Sequence, residues 1–253
     1  MTAVSLIAAL DLPANSRVDQ RVPKKLLVEN GAPTTSDKRQ INDGIEEAQW
    51  LAALKPNTIG VPAYRDDARE YLEIAILNVK LRGKPQASRL AELIHRAVPY
   101  PVVLLLDTEH GLLLSLVHKR WAQNEADKVV LDGELVEIQL SPDHPSSSTE
   151  EAFTSSIALR LQPQGSLYAL YQGWMDSIEA FLASKISGTF TEAGGPEKKA
   201  ARRVALHRCR ELDLEIAALQ RSAAKETQIA RQVAANLKIK ALREERLQAV
   251  ENL

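Results

Sequence analysis

Glu70-Tyr-Leu-Glu-Ile-Ala-Ile-Leu-Asn-Val-Lys-Leu-Arg82 is the stretch that decides the fold of this chain. Read as an extended strand, it puts Leu72, Ile74 and Ile76 on one face and Ala75, Leu77, Val79 and Leu81 on the other. A strand that is apolar on both faces belongs in the middle of a sheet covered on both sides. Helices packed on a sheet are therefore expected.

The neighbouring segments extend that picture. Gly83-Lys-Pro85 stops the strand, and residues 86–97 carry Leu90, Ala91 and Ile94 at helical spacing. Pro99-Tyr-Pro101 ends that helix. Residues 102–106 predict a second buried strand, 107–111 a turn and 112–120 a third strand. Residues 129–131 and 134–140 flank Asp132-Gly133, the strongest two-residue hairpin signal in the chain. Residues 141–149 read as a surface loop, and 167–184 as an amphipathic helix. On the N-terminal side, Ser36 or Asp37 caps a helix expected to run to about Leu54, with Ile41, Ile45, Ala48, Trp50 and Leu51 as its apolar positions. The class is α+β: a mixed sheet of about four to five strands with packing helices, plus a long C-terminal helical or coiled-coil element. The expected organisation is an irregular or helical segment at 1–35, a body at 36–186, a linker at 187–196 and a long helix or helical hairpin at 197–253.

Charge separates the two ends. Lys+Arg against Asp+Glu is 19 against 25 in residues 1–195 and 13 against 8 in 196–253, a net −6 and +5 that the overall −1 conceals. The tail holds neither Gly nor Pro after Pro196. A helix of that length would reach roughly 80 Å unbroken, so it must fold back, pair or meet a partner. A seam can be drawn through Ala205, Cys209, Leu212, Ile216, Leu219, Ala223, Glu226, Ala230, Val233 and Leu237, and a shifted register runs through Ile229, Val233 and Asn236. The pattern is discontinuous and alanine-rich. It favours an antiparallel hairpin or a partner-bound coiled coil over a long free dimeric zipper. As a seam residue Asn236 would fix register; on an exposed face it would carry no such role. The basic excess could touch phosphate, or line a partner helix.

Catalytic signatures are missing. There is no phosphate-binding G-x-x-x-x-G-K-[ST] loop, no G-x-G-x-x-G, no H-E-x-x-H and no G-x-S-x-G elbow. A single cysteine, Cys209, excludes a zinc-binding cysteine cluster and an internal disulfide and suits a reducing cytoplasm. No apolar run is long enough for a membrane span. No cofactor is expected. A metal-dependent nuclease of the restriction type would place an acid and then E-x-K on adjacent strands, and the E-x-K here, Glu197-Lys-Lys199, lies outside the sheet. Two clusters remain. Asp107, Glu109 and His110 are weak metal candidates in a turn, where solubility alone also explains them. His118, Lys119 and Arg120 end a strand and could contact nucleic acid or an acidic partner, or simply emerge into solvent.

Several stretches resemble the DUF4391 family of bacterial proteins: Arg21-Val-Pro-Lys-Lys25, Asp37-Lys38, Trp50 with Leu54-Lys-Pro-Asn-Thr-Ile59, Tyr71-Leu-Glu-Ile74, Ile94-His-Arg-Ala-Val-Pro-Tyr-Pro101 and Ser115-Leu-Val-His-Lys-Arg120, with Lys225-Glu226 and Asn236 in the tail. The family has no assigned function and no accepted catalytic residues. Its members look like companions of helicase and DNA-methyltransferase genes in bacterial restriction or phage-defence loci. The resemblance therefore implies a non-catalytic accessory subunit that couples a helicase or methyltransferase. Its partner would be such a subunit or a second copy, held through Leu212, Ile216, Leu219, Glu226, Val233, Asn236 and Leu237. The alternatives are a nucleic-acid-binding module using the basic helix, and a metal-dependent nuclease.

Overall fold

The computed structural model describes residues 2–109, 111–123, 128–141, 147–192 and 194–253. The elements, in chain order, are α1 (Ala3–Ala9), β1 (Arg17–Arg21), α2 (Lys24–Gly31), α3 (Thr35–Gly44), β2 (Ile45–Leu54), α4 (Pro56–Ile59), β3 (Tyr64–Arg65), β4 (Glu70–Tyr71), β5 (Ile74–Leu81), α5 (Ala87–Ala97), β6 (Val102–Thr108), β7 (Gly111–Trp121), β8 (Val129–Leu140), α6 (Ser148–Ser156), α7 (Leu167–Ser187), α8 (Pro196–Ala223) and α9 (Ile229–Val250). They divide into two compact units, residues 1–178 and 179–253, with α7 spanning the division.

The first unit is built on a mixed six-stranded sheet in the order β1-β2-β5-β6-β7-β8. Only β5 and β6 are parallel, joined through α5; the other neighbours are antiparallel. The central strand read from 70–82 is β5, whose apolar residues are buried on both faces, as expected. Ala75, Leu77, Val79 and Leu81 pack with Leu27, Ile41, Leu90 and Ile94 of α2, α3 and α5. On the opposite face Leu6 and Leu10 from the α1 region, Ile157 and Trp174 meet Val103, Leu114 and Leu116. The α+β class holds, with six strands rather than four to five.

Three sequence expectations change. The helix predicted from Ser36/Asp37 to Leu54 stops at Gly44, and residues 45–54 are the strand β2. Two bulges, between Ile45 and Glu47 and between Trp50 and Ala52, shift the alternation of β2. Each adds a residue and swaps faces, so Ile45, Ala48 and Leu51 imitate helical spacing. Gly44 is needed at the junction because a Cβ there would lie 2.9 Å from Pro85 Cβ. Second, Asp132-Gly133 makes no hairpin: β8 runs through it as one strand. Between the pairs Leu116↔Val136 and His118↔Asp132 the register shifts, and Gly133 (φ +92°) absorbs the extra length with a positive φ. Third, 70–82 is two pieces: β4 pairs with β3 in a separate two-stranded ribbon before β5 begins.

Tyr171 of α7 locks helix to sheet. Its hydroxyl donates to Val102 O at 2.7 Å and accepts from Val117 N at 3.0 Å, beyond the last β6–β7 ladder pair, Leu104↔Ser115. Among the described residues no helix is long and apolar enough to cross a membrane.

Candidate functional site

The second unit settles the shape of the tail. The chain leaves α8 at Ala223 and returns as α9, forming an antiparallel hairpin. Arg208 pairs with Glu245 and Arg246 pairs with Asp213 through two bonds of 2.6 and 3.0 Å. Lys238 reaches Glu215 at 2.8 Å, and Arg202 donates to Leu253 O. These cross-links run in opposite directions along the two helices and use four of the tail's basic side chains. Exposed pairs of this kind stabilise by about 0.2–1 kcal/mol each, so their main effect is on register.

The α8 half of the expected seam is correct: Ala205, Cys209, Leu212, Ile216 and Ala223 are buried, with Leu219 packed against them. Burial also pushes the Cys209 thiol pKa up, which makes it unreactive. The α9 half is corrected. Ile239 and Leu242 face α8, whereas Val233, Asn236 and Leu237 are exposed. Glu226 is not a seam residue either; its Oε1 accepts from the backbone N–H groups of Thr227 and Gln228, both at 2.9 Å, in the turn before α9. Five residues, 224–228, separate the helices, and a seam extrapolated straight through them arrives on the wrong face.

The corrected register leaves a second apolar stripe on α9. Ile229 is 78% exposed, Val233 52%, Leu237 64% and Leu247 65%. At 3.6 residues per turn the first three lie about 150° around the helix axis from Ile239 and Leu242. A helix already packed on its partner thus carries a large apolar face in solvent, which is uncommon without an interaction role.

The strand end at 118–120 is not a basic patch. Lys119 is 3% exposed, and its Nζ donates to His95 O at 2.6 Å and to Val98 O at the C-terminal end of α5. Burial lowers its pKa to about 7. His118 is held by two bonds: Tyr71 Oη lies 2.5 Å from Nδ1, and Gln172 Oε1 lies 2.8 Å from Nε2. Gln172 in turn donates to Asp176 at 2.8 Å. An amide oxygen can only accept, so Nε2 carries the proton and Nδ1 accepts from the tyrosine. Burial lowers the His118 pKa, which keeps it neutral. Tyr168 stacks on it with ring centroids 4.9 Å apart, and Tyr64 stacks on the same Tyr168 ring. Arg120 lies 3.6 Å from Asp132, which Arg69 also grips at 2.6 and 3.0 Å. The possible contact with nucleic acid or an acidic partner thus meets no free basic cluster at this strand end: Lys119 is buried, His118 is neutral and Arg120 is paired with Asp132. Asp132 organises this cluster, and its reading as a turn residue hid that role.

The metal candidates fare similarly. Asp107 sits on β6 opposite Lys80 and Leu112, and Glu109 lies exposed in the turn after it; His110 is outside the described residues. Among the described residues no group of three or more His, Cys, Asp or Glu side chains is placed to hold a metal. Glu197-Lys-Lys199 lies at the start of α8, off the sheet. On adjacent strands Lys80 of β5 lies beside Glu47 of β2 and Asp107 of β6, and the residue two before it is Asn78. An amide at 78 lacks the negative charge that such chemistry needs.

No curated protein and no solved structure matches the chain. A family model described as a domain of unknown function, DUF4391, matches residues 10–245. That match covers both units almost entirely, and the chain therefore belongs to the DUF4391 family.

Proposed function

We propose that this chain is a non-catalytic interaction subunit of a bacterial restriction or phage-defence complex, acting in the cytoplasm. In this reading the α8–α9 hairpin docks on a helicase or DNA-methyltransferase subunit. The observation that carries it is the outward stripe Ile229, Val233, Leu237 and Leu247, left in solvent after α9 has satisfied its inward face against α8. Ile229, Val233 and Leu237 have the i, i+4 spacing by which a helix enters an apolar groove of a partner, and Leu247 lies on the same side ten residues further on. Exposed Lys240 and Glu244 lie on the same side between Leu237 and Leu247, so the partner groove must accommodate one charge of each sign there.

The test uses the full-length chain, tagged and co-expressed with a helicase and a DNA methyltransferase of a bacterial restriction or phage-defence system. One of those subunits should co-purify. The combined substitution Ile229→Ser, Val233→Ser and Leu237→Ser should remove it while leaving the helical circular dichroism signal intact. Equal co-purification of the triple variant, or none with the unaltered chain, overturns the reading.

A further inference from the structure

The first unit contains a cavity of about 370 Å³ at the edge of the sheet. We propose that it binds a small organic acid: a one- or two-ring apolar body carrying a single carboxylate. Its lining includes Trp50 of β2, Leu77 of β5, Leu26 of α2 and Tyr100, after α5. Arg21, the last residue of β1, is exposed and lines it too.

The lining is apolar except for Gln20, Arg21 and Asn30, and it includes no Asp or Glu. Arg21 is exposed and makes no ion pair among the described residues. It is the one charged residue lining an apolar, aromatic-walled cavity, so an anion on an apolar ligand would meet a guanidinium that no carboxylate among the lining residues pairs with. The indole N–H of Trp50 is already satisfied by Ala52 O at 2.8 Å, so its ring offers an apolar surface only.

Size and rigidity narrow the ligand. Small-molecule cavities run from about 300 to 1,000 Å³, and this one is at the compact end. Its walls are set by Pro23, which precedes α2, and by Pro99 and Pro101 on either side of Tyr100. Their fixed φ angles stiffen the backbone beside Leu26 and Tyr100, which lowers the conformational entropy lost on binding. Three stretches that carry the family resemblance, at 21–25, Trp50 and 94–101, meet at this one cavity. None of the docking residues on α9 is involved, so this proposal and the partner reading stand or fall separately.

Isothermal titration of the full-length chain with 2-naphthoate and with neutral 2-naphthamide tests the assignment. The carboxylate should bind at least about tenfold more tightly than the amide. Arg21→Gln should reduce 2-naphthoate binding to the level of the amide and leave the amide unchanged. Tyr100→Ala should weaken both. Both side chains are exposed, so neither change should unfold the protein, which a thermal melt verifies. Equal affinity for the two probes, a preference that survives Arg21→Gln, or no binding of either probe overturns the proposal. So does selective binding of a short acidic peptide with an aromatic residue when neither naphthalene probe binds.

Discussion

Replacing Leu212 and Leu237 separately by alanine separates the inward and outward faces of the tail hairpin. Leu212 is fully buried on α8, in a cluster with Ile216, Ile239 and Leu242 and with Leu219 at its edge. Truncating such a leucine costs about 2.7–5 kcal/mol from lost transfer free energy and a residual cavity. The hairpin core is small and can partly collapse, so about 3 kcal/mol is expected. Leu237 is 64% exposed. Only about a third of a full leucine burial of roughly 2 kcal/mol is at stake, and alanine returns a few tenths through helix propensity. Its variant should therefore lie within about 0.5 kcal/mol of the original. Denaturant unfolding followed by helical circular dichroism gives the total. Amide hydrogen exchange in α8 and α9 assigns the loss to the hairpin. Equal destabilisation by the two substitutions would put Leu237 back in the seam and refute the register on which the outward stripe rests.

Further perturbations probe the first unit. Tyr171→Phe strands the Val117 N–H and should cost about 1–3 kcal/mol, seen as a lower midpoint of thermal unfolding; a change under about 0.5 kcal/mol would show that the hydroxyl bridge is not structural. Gly31→Ala should destabilise despite alanine's better helix propensity, because the new Cβ would lie 2.3 Å from Leu93 O; a raised denaturant midpoint would contradict the close α2–α5 packing. Lys119 has a folded pKa of about 7, below the value near 10.4 of the unfolded chain, so the unfolded state binds more protons between those pH values. Stability should therefore rise with pH from about 7 to 10 in the unaltered protein, by up to about 1.4 kcal/mol per pH unit. In Lys119→Met that slope should flatten; identical slopes would show that the amine is not titrating in the interior.

The sequence made the sheet legible where side-chain periodicity was undisturbed. β5, α5, β6 and β7 follow directly from apolar spacing and from the stops at Gly83, Pro85 and Pro99. It misled where the backbone departs from regularity. The bulges of β2 gave a strand the spacing of a helix, and the bulge at Gly133 gave one strand the signature of a hairpin. β1 was missed because Arg17–Arg21 is an almost fully exposed edge strand with no apolar face to read. The candidate sites failed for a related reason. Lys119 alternates correctly with its neighbours, but only the end of α5, distant in sequence, shows that it faces inward. In the tail, the α8 seam was legible and the α9 seam was not, because register across the turn at 224–228 depends on its geometry. The Asp132 cluster and the Arg21 cavity draw on residues scattered from 20 to 176, and no local motif announces either.

The central claim is that the outward face of α9 holds a partner of this chain. The most direct measurement places the photo-reactive residue benzoylphenylalanine at position 237 in the full-length chain. The control places it at Arg210, exposed on α8. Each is irradiated after co-expression with a helicase subunit and a DNA-methyltransferase subunit of the kind proposed. A covalent adduct with one of those subunits from position 237, and none from position 210, is the predicted result. No adduct from 237, or equal yields from both positions, would contradict the account.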